Sequence, residues 1–202
     1  FVFAITPFNF TSIAGNLPCA PALMGNVSIW KPASSAVLPC YYIMRLLQEA
    51  GLPDGVINFL PGSGGKVGDP VLKDPNLAGV HFTGSTETFQ YIWKTIGSQI
   101  EKYKTYPRIV GETGGKDFCL AHESADIDEL TTAMIRGAFE YQGQKCSAMS
   151  RAYLPSSIWN QLKSKYLSEL KSVKVGPPED FSNFMNAVID KKAFKSITHY
   201  IQ

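Results

Sequence analysis

The residues best suited to chemistry lie in the loop Tyr141-Gln142-Gly143-Gln144-Lys145-Cys146-Ser147. The other three cysteines stand in apolar stretches, where a thiol is most often a small buried hydrophobic group. Cys146 instead has polar, flexible neighbours, and the positive charge of Lys145 favours the thiolate, which is the nucleophilic form. We therefore predict that Cys146 is a nucleophile, with an inert buried thiol as the alternative.

Two further side chains could assist such a nucleophile. Glu112 is followed by Gly114 and Gly115, and glycines permit backbone conformations that bring a chain close to a ligand. A carboxylate there can act as a general base on water, or it can remain a solvated loop residue. Asn9 can donate its side-chain amide to an oxyanion, or it can make only a turn hydrogen bond to its own backbone.

Three segments are candidates for nucleotide binding. Lys31 follows an apolar run, so it can hydrogen-bond a ribose or remain a solvated lysine at a strand edge. The glycine-rich loop 62–66 fails the phosphate-loop pattern GxxxxGK(S/T), because Leu60 takes the place of the first glycine and Val67 that of the hydroxyl residue. Thr83-Gly84-Ser85 precedes a predicted helix and is a modest anion site, since helix N-termini present backbone N–H groups.

The elements that must position these residues alternate along the first half of the chain. Short apolar runs predict strands over residues 1–5, 27–31, 56–60, 79–82 and 108–110. Helices are predicted between them, over residues 11–24, 34–50, 67–73 and 86–101, with Ser34 or Ser35 as a cap and Gly51 as a helix end. This alternation predicts an α/β fold with a parallel, Rossmann-like sheet that helices cover on both faces. The candidate residues follow strands, where ligands bind in such sheets: Asn9, Lys31, Gly62, Ser85 and Glu112.

The pattern changes near Lys116, where we predict a domain boundary. Residues 1–115 would form part of a nucleotide-binding domain, and residues 116–202 the start of a second α/β domain that carries the thiol. Strands are predicted there over 118–121 and 149–154, and helices over 126–141 and 156–173, with Asp190 capping a last helix.

Composition excludes several other classes of protein. The 202 residues carry a net charge of +2 and dispersed lysines, which argues against a nucleic-acid surface. No apolar run approaches the ~18 residues of a membrane span, and no cysteine pair or histidine cluster has metal-ligand spacing. The widely spaced cysteines favour reduced thiols. Because the chain starts within an apolar strand and stops within a helical pattern, we expect an internal piece of a longer protein.

Taken in order, these segments resemble the aldehyde dehydrogenase superfamily. The matching stretches cover nearly the whole chain: Thr6-Pro7-Phe8-Asn9-Phe10, Trp30-Lys31-Pro32, Leu60-Pro61-Gly62, Phe82-Thr83-Gly84-Ser85-Thr86, Glu112-Thr113-Gly114-Gly115-Lys116 and Gly143-Gln144-Lys145-Cys146. Within the superfamily, three stretches are similar to the members that oxidise glutamate semialdehyde. They are Pro-Phe-Asn-Phe-Thr at residues 7–11, Ala-Pro-Ala-Leu-Met-Gly-Asn at residues 20–26 and Phe-Glu-Tyr at residues 139–141.

The resemblance implies a mechanism, namely NAD-dependent oxidation of L-glutamate 5-semialdehyde to L-glutamate in proline catabolism. Cys146 would attack the aldehyde carbon and form a thiohemiacetal, while Asn9 and the Cys146 backbone N–H would hold the oxyanion. Hydride transfer to NAD would leave a thioester, and Glu112 would activate the water that releases the product.

The same resemblance assigns the binding residues. The cofactor would be held by Thr6, Lys31, Gly84, Ser85, Thr86, Glu87 and Thr88. The substrate would be contacted by Ser147, Lys145 and Phe10. Ser34 departs from the family, since many members have a glutamate three residues after the lysine, where it contacts the ribose hydroxyls. The expectation of NAD over NADP therefore comes from the family and not from this residue.

The resemblance also implies a homo-oligomer in the mitochondrial matrix that binds a small aldehyde, with no metal, no nucleic acid and no membrane span. Other interpretations remain open at this point. They are another semialdehyde dehydrogenase, the dehydrogenase part of a bifunctional proline-oxidising protein, and a catalytically inactive nucleotide-binding fragment. We expect the isolated 202 residues to be inactive.

Overall fold

Five short parallel strands form the centre of the first unit, which comprises residues 1–113; the computed structural model describes all residues from 1 to 202. The strands are β1 (Val2–Ile5), β2 (Ser28–Lys31), β3 (Ile57–Phe59), β4 (Gly79–Thr83) and β5 (Arg108–Glu112). Their order in the sheet is β3-β2-β1-β4-β5. The chain therefore adds β2 and β3 on one side of β1 and then crosses over to add β4 and β5 on the other side.

Helices cover both faces of this sheet, because successive side chains of a strand point to opposite sides. The helices are α1 (Thr11–Leu23), α2 (Val37–Glu49), α3 (Asp69–Leu72) and α4 (Thr86–Gly97). On one face Phe3 packs with Val80 and with Ile92 of α4. On the other face Trp30 packs with Ala14 and Met44. The predicted α/β class and the parallel sheet covered on both faces are confirmed.

Several predicted boundaries differ from the structure. Neither Ser34 nor Ser35 caps α2, because the chain first forms a 3-10 turn over Ser34–Ala36 and Ala36 takes the capping position. The helix predicted over 67–73 is a wide turn, Gly64–Gly68, followed by the single turn of α3. Helix α4 ends at Gly97, short of the predicted 101. Gly51 does end α2, with a φ of +94° that favours glycine.

The second unit, residues 114–202, has its own small core. Two parallel strands, β6 (Asp117–Leu120) and β7 (Met149–Tyr153), lie beside α5 (Ile127–Phe139) and α6 (Ser156–Ser172). The chain closes with α7 (Lys191–Ile201). Leu130, Met134 and Leu162 are buried together, and each such side chain contributes about 1.5–3 kcal/mol when it is fully buried. Asp190 caps α7 as predicted.

None of the helices is both long and apolar enough to cross a bilayer. All four cysteines are free thiols. Cys40 is buried against α1 and β2, and that burial raises the pKa of its thiol. Its environment is that of a small hydrophobic residue, as its apolar sequence context predicted.

Candidate active site

The carboxyl ends of the strands bring four of the predicted residues to one edge of the sheet. Ile5 lies opposite both Lys31 and Phe82, so β1 and β2 end at the same level and β4 continues one residue further. The N–H of Thr6 donates to the carbonyl of Lys31 at 3.2 Å. Glu112 pairs with Thr83 at the end of β5. The connection after β1 runs to β2 and the connection after β4 runs to β5 on the opposite side, so the crevice beyond β1 and β4 is where ligands bind in folds of this type.

Lys31 is held at this edge with its charge largely removed from water. The residue is only 8% exposed, and burial lowers the pKa of its ammonium group. Its Nζ donates to the carbonyl of Pro32 at 3.2 Å. An ammonium group has three N–H donors, and a buried one is costly unless acceptors surround it. A ligand with hydroxyl groups, such as a ribose, matches that donor set.

The hydroxyl of Thr6 makes a hydrogen bond within the core of the first unit. Thr6 is buried, and its Oγ1 accepts a hydrogen bond from Nε1 of Trp30 at 3.0 Å. The side chain therefore stabilises the core beneath the sheet edge, and the contact that Thr6 can offer to a ligand is through its backbone.

The turn after β4 leads directly into α4, and hydrogen bonds between Ser85 and Thr88 stabilise it. Oγ of Ser85 accepts the backbone N–H of Thr88 at 3.2 Å and lies 2.8 Å from the Thr88 hydroxyl. Gly84 has no room for a side chain, since a Cβ there would lie 2.7 Å from the ring of Phe82. Glu87 adds a negative charge in the first turn, which favours the helix dipole. The result is a rigid helix N-terminus at the sheet edge.

Asn9 and Phe10 form the link from β1 into α1. Oδ1 of Asn9 accepts the backbone N–H of Phe10 at 3.1 Å, and both residues are half-buried. Phe10 occupies the N-cap position of α1. The turn interaction considered from the sequence is therefore present, and it uses the amide oxygen. This bond uses only the acceptor of the amide, and the Nδ2 group of Asn9 is the donor that the predicted oxyanion contact would require.

Glu112 is the last residue of β5 and is exposed. The strand was predicted to end at Val110, but it continues because Gly111 and Glu112 pair with Phe82 and Thr83. The backbone carbonyl of Glu112 accepts the N–H of Gly84 at 3.1 Å. A carboxylate on a paired strand end has a defined backbone position, unlike one in an open loop.

The loop with Cys146 belongs to the second unit and begins with an unusual turn. Tyr141, Gln142 and Gly143 have φ values of +54°, +58° and +67°, so three consecutive residues are left-handed. For residues other than glycine, such conformations cost of order 1–3 kcal/mol each. Cys146 lies in a turn directly afterwards and is half-buried, whereas Ser147 is exposed.

Lys145 forms an ion pair within this loop. Its Nζ lies 2.5 Å from Oε2 of Glu140, and the other carboxylate oxygen of Glu140 accepts a hydrogen bond from Arg136 at 2.5 Å. The Lys145 side chain is 18% exposed. Hydrogen bonds from Lys145 first and from Arg136 second hold the pKa of Glu140 below its usual value. Lys145 therefore has a fixed position next to Cys146 in the chain.

Two glutamines that the sequence interpretation left without a role bind a distant part of the same unit. Nε2 of Gln142 donates to the carbonyl of Ala187 at 2.8 Å, and Oε1 of Gln144 accepts the N–H of Ile189 at 2.9 Å. The sequence does contain a signal, since the two glutamines flank a glycine in the loop. Their partners, however, lie 45 residues away.

The whole chain, residues 1–202, matches the aldehyde dehydrogenase family. The chain belongs to that family. Its match is continuous across both compact units, so the carboxyl edge of the sheet and the cysteine loop lie in one aldehyde dehydrogenase segment.

Similar proteins include delta-1-pyrroline-5-carboxylate dehydrogenases. The mitochondrial enzyme of Dictyostelium discoideum is 55% identical over all of this chain and 37% of its own length, and that of Rattus norvegicus is 51% identical over 36% of its length. The crystal structure of the Mycobacterium tuberculosis enzyme bound with NAD has a TM-score of 0.97 and 56% identity over 100% of this chain and 38% of its own. This chain thus spans somewhat more than a third of these relatives.

Proposed function

We propose that the protein containing this chain oxidises L-glutamate 5-semialdehyde, which forms from delta-1-pyrroline-5-carboxylate, to L-glutamate with NAD in proline catabolism. The observation that carries the proposal is the 55–56% identity with delta-1-pyrroline-5-carboxylate dehydrogenases over the entire chain. The sheet edge and the cysteine loop supply the chemical groups that such a reaction requires.

In this proposal Cys146 is the nucleophile. Its thiolate sulfur forms a bond to the aldehyde carbon, and the carbonyl electrons move to the oxygen. The Nδ2 group of Asn9 and the Cys146 backbone N–H donate hydrogen bonds to that oxygen. One such donor is worth about 2.7–4 kcal/mol in a site from which water is excluded. NAD, when bound, accepts the hydride that the aldehyde carbon loses, which leaves a thioester on Cys146.

Glu112 is the proposed general base of the second half of the reaction. Its carboxylate takes a proton from water as the water oxygen bonds to the thioester carbon. The carbon–sulfur bond then breaks, the thiolate of Cys146 is released, and the product leaves as a carboxylate. Glu112 has a defined backbone position at the end of β5. This supports the role of a general base, whose carboxylate must point towards the attacking water.

The residues at the sheet edge fit a dinucleotide. The buried ammonium group of Lys31 would bind ribose hydroxyls, and the turn from Gly84 through Thr88 would face the phosphates with the N-terminus of α4. Thr6 would contribute through its backbone, because its hydroxyl is bonded to Trp30. We assign residues 1–115 to the NAD-binding domain and residues 116–202 to the catalytic domain on this basis.

Substrate choice would rest on Ser147, Lys145 and Phe10. The exposed hydroxyl of Ser147 can donate to the carboxylate of the semialdehyde, and the half-buried ring of Phe10 can line its methylene chain. Lys145 would act mainly through its positive charge, since Glu140 already accepts its hydrogen bond. This assignment predicts a preference for aldehydes that carry a carboxylate.

We further infer a mitochondrial protein, and more narrowly one of the matrix, that assembles as a homo-oligomer. Two of the relatives described above are named as mitochondrial. Protease protection in isolated mitochondria and sedimentation of the full-length protein test these two inferences separately.

NADH formation by the full-length protein is the direct test of the reaction. We expect a higher kcat/KM with glutamate semialdehyde than with succinate semialdehyde, which is one carbon shorter and lacks the α-amino group. Equal values would leave a semialdehyde dehydrogenase of broad specificity, and activity with neither would contradict the proposed reaction.

A second candidate is the dehydrogenase part of a bifunctional proline-oxidising protein. Proline utilization A from Bdellovibrio bacteriovorus has a TM-score of 0.93 to this chain, but its identity is 32% and the match covers 21% of its length. The higher identity of the M. tuberculosis enzyme favours the first candidate. Proline-dependent reduction of an electron acceptor by the purified full-length protein would favour the second.

A further inference from the structure

The backbone before Cys146 needs a restraint that its own sequence does not provide. Of the three consecutive left-handed residues, only Gly143 adopts this conformation without strain. The glycine is also required for space, because a Cβ there would lie 2.9 Å from the carbonyl oxygen of Ala138. Tyr141 and Gln142 keep positive φ values only if other interactions hold them.

Two long-range hydrogen bonds flank this turn on either side of Gly143. Gln142 donates through Nε2 to the carbonyl of Ala187 at 2.8 Å, and Gln144 accepts through Oε1 the N–H of Ile189 at 2.9 Å. The partners fix the orientation of both amides, since a carbonyl can only accept and an N–H can only donate. The backbone N–H of Gln144 also donates to the carbonyl of Tyr141 at 3.0 Å, which closes the turn.

The segment that receives these bonds is itself attached to the rest of the second unit. Val175 and Met185 form an isolated parallel bridge, and the N–H of Gly176 donates to the carbonyl of Met185 at 3.1 Å. Phe184 donates through its backbone to Lys174 at 3.0 Å. The glutamines therefore connect the turn to backbone that is fixed beyond the end of α6.

We propose that Gln142 and Gln144 are positioning residues, which together form a clamp that sets the direction of the Cys146 thiol. This inference rests on the proposed role of Cys146 as the nucleophile. The bonds to Ala187 and Ile189 hold the backbone from which Cys146 projects. A displacement of about 1 Å in a reacting group can lower a rate roughly 100-fold, so a loosened turn reduces kcat even when the protein stays folded.

Two isosteric substitutions in the full-length protein distinguish the loss of these specific hydrogen bonds from a general change in side-chain polarity. In Gln142→Glu a carboxylate replaces the donor that faces the Ala187 carbonyl, so the bond is lost. In Gln144→Glu an oxygen still faces the N–H of Ile189, so that bond is retained and only the longer bond from Nε2 to the Tyr141 carbonyl at 3.4 Å is lost. Gln144→Leu removes both bonds. Gln161→Leu, on the exposed face of α6, is the matched control.

We expect Gln142→Glu and Gln144→Leu to lower kcat and the rate of Cys146 alkylation by iodoacetamide roughly 10- to 100-fold. The KM for the aldehyde and the Kd for NAD should stay within about threefold, since neither glutamine is assigned to ligand binding. Gln144→Glu should retain at least about a third of the wild-type kcat because it keeps the acceptor. A role in stability alone would lower Tm without changing kcat.

Hydrogen exchange adds a test that does not depend on activity. The Ile189 amide should be protected in the wild-type protein and in Gln144→Glu, and it should exchange faster in Gln144→Leu. An unprotected Ile189 amide in the wild-type protein would overturn the clamp even if a variant does not fold. Wild-type kcat and alkylation in both Gln142→Glu and Gln144→Leu would overturn it as well.

Failure of the clamp and failure of the proposed function give different results. If Cys146→Ala retains turnover, the proposed nucleophile is wrong regardless of the glutamines. If Cys146→Ala is inactive while the glutamine variants behave as the wild type, only the positioning role is overturned.

Discussion

Lys145 Nζ and Glu140 Oε2 lie 2.5 Å apart in the second unit, so the lysine beside the candidate nucleophile is already paired with a carboxylate. Arg136 binds the same carboxylate from one turn earlier in the chain. Glu140 thus pairs with Arg136 of α5 and with Lys145 of the cysteine loop. Substitution of Glu140 therefore measures how much these two ion pairs stabilise the loop.

Glu140→Gln should lower the free energy of unfolding by about 1 kcal/mol or less at pH 7, because the pairs are partly exposed to solvent. The folded-state pKa of Glu140 is below its unfolded value, so this contribution is present above the unfolded pKa of about 4.3 and is lost as the pH falls through the folded value. Denaturant titrations of the wild type and the variant at pH 7 and pH 3 measure the stability difference and its loss at low pH. Glu49→Gln, which removes a more exposed pair with Arg45, should change stability by less than about 0.5 kcal/mol. Equal effects of the two variants would argue against a special role for Glu140.

Cys146→Ala in the full-length protein should abolish aldehyde oxidation while the Kd for NAD changes less than about threefold, because the substitution removes the proposed nucleophile and no assigned cofactor contact. NADH formation and calorimetric titration with NAD measure these quantities. Cys119→Ala, in the same unit and also half-buried, is the control that should remain active.

Glu112→Gln should separate the two halves of the reaction. The amide cannot take a proton from water, so hydrolysis of the thioester should slow by roughly 10²- to 10⁴-fold while its formation continues. Rapid mixing should then show a burst of one NADH per active site and a covalent acyl group on Cys146 by mass spectrometry. Glu123→Gln, at an exposed position in the second unit, should show neither change. Steady-state turnover at the wild-type rate would contradict a role of Glu112 in hydrolysis, and loss of the burst would place its role before the thioester forms.

Lys31→Met should stabilise the protein without cofactor and weaken NAD binding. Removing a buried charge is worth about 1 kcal/mol or more when an apolar side chain replaces it. Loss of a charged hydrogen bond worth about 1.5–3 kcal/mol should raise the Kd for NAD roughly 10- to 150-fold. Tm and calorimetric titration test the two effects, with exposed Lys73→Met as the control.

The pH dependence of stability gives the sign of the Lys31 effect. Its folded-state pKa is lowered, so the unfolded chain binds more protons between the folded-state value and the unfolded pKa of about 10.4. The destabilising effect is therefore complete below the folded-state pKa and disappears as the pH rises through that value towards 10.4. A constant stability difference between wild type and Lys31→Met across this interval would contradict the assignment.

Gly111→Ala should destabilise the first unit by about 1–3 kcal/mol. A Cβ at this position would overlap the ring of Phe89, which stacks on Phe82 with centroids 5.6 Å apart. Gly97→Ala is the matched control, because nothing lies within 4 Å of a Cβ at the end of α4. That variant should be neutral or more stable by about 0.5–1 kcal/mol, since alanine favours helices. Thermal denaturation measures both.

The amino-acid sequence alone was sufficient to predict the class of the fold and to place the candidate residues near the strand ends at one edge of the sheet. Apolar runs and turn residues are local signals, and parallel strands must end on one edge, so Lys31, Ser85 and Glu112 could be placed near strand ends without coordinates. The family resemblance was equally readable, because it depends on ordered motifs and not on geometry.

Only the tertiary structure decided which atoms these residues have available. The Thr6 hydroxyl turns into the core towards Trp30, Lys145 pairs with Glu140, and Gln142 reaches Ala187. Such partners depend on how separate elements pack, and neither periodicity nor spacing encodes a bond across 45 residues. Local patterns therefore determined where the chain folds into strands and helices, whereas packing determined what each polar side chain can still bind.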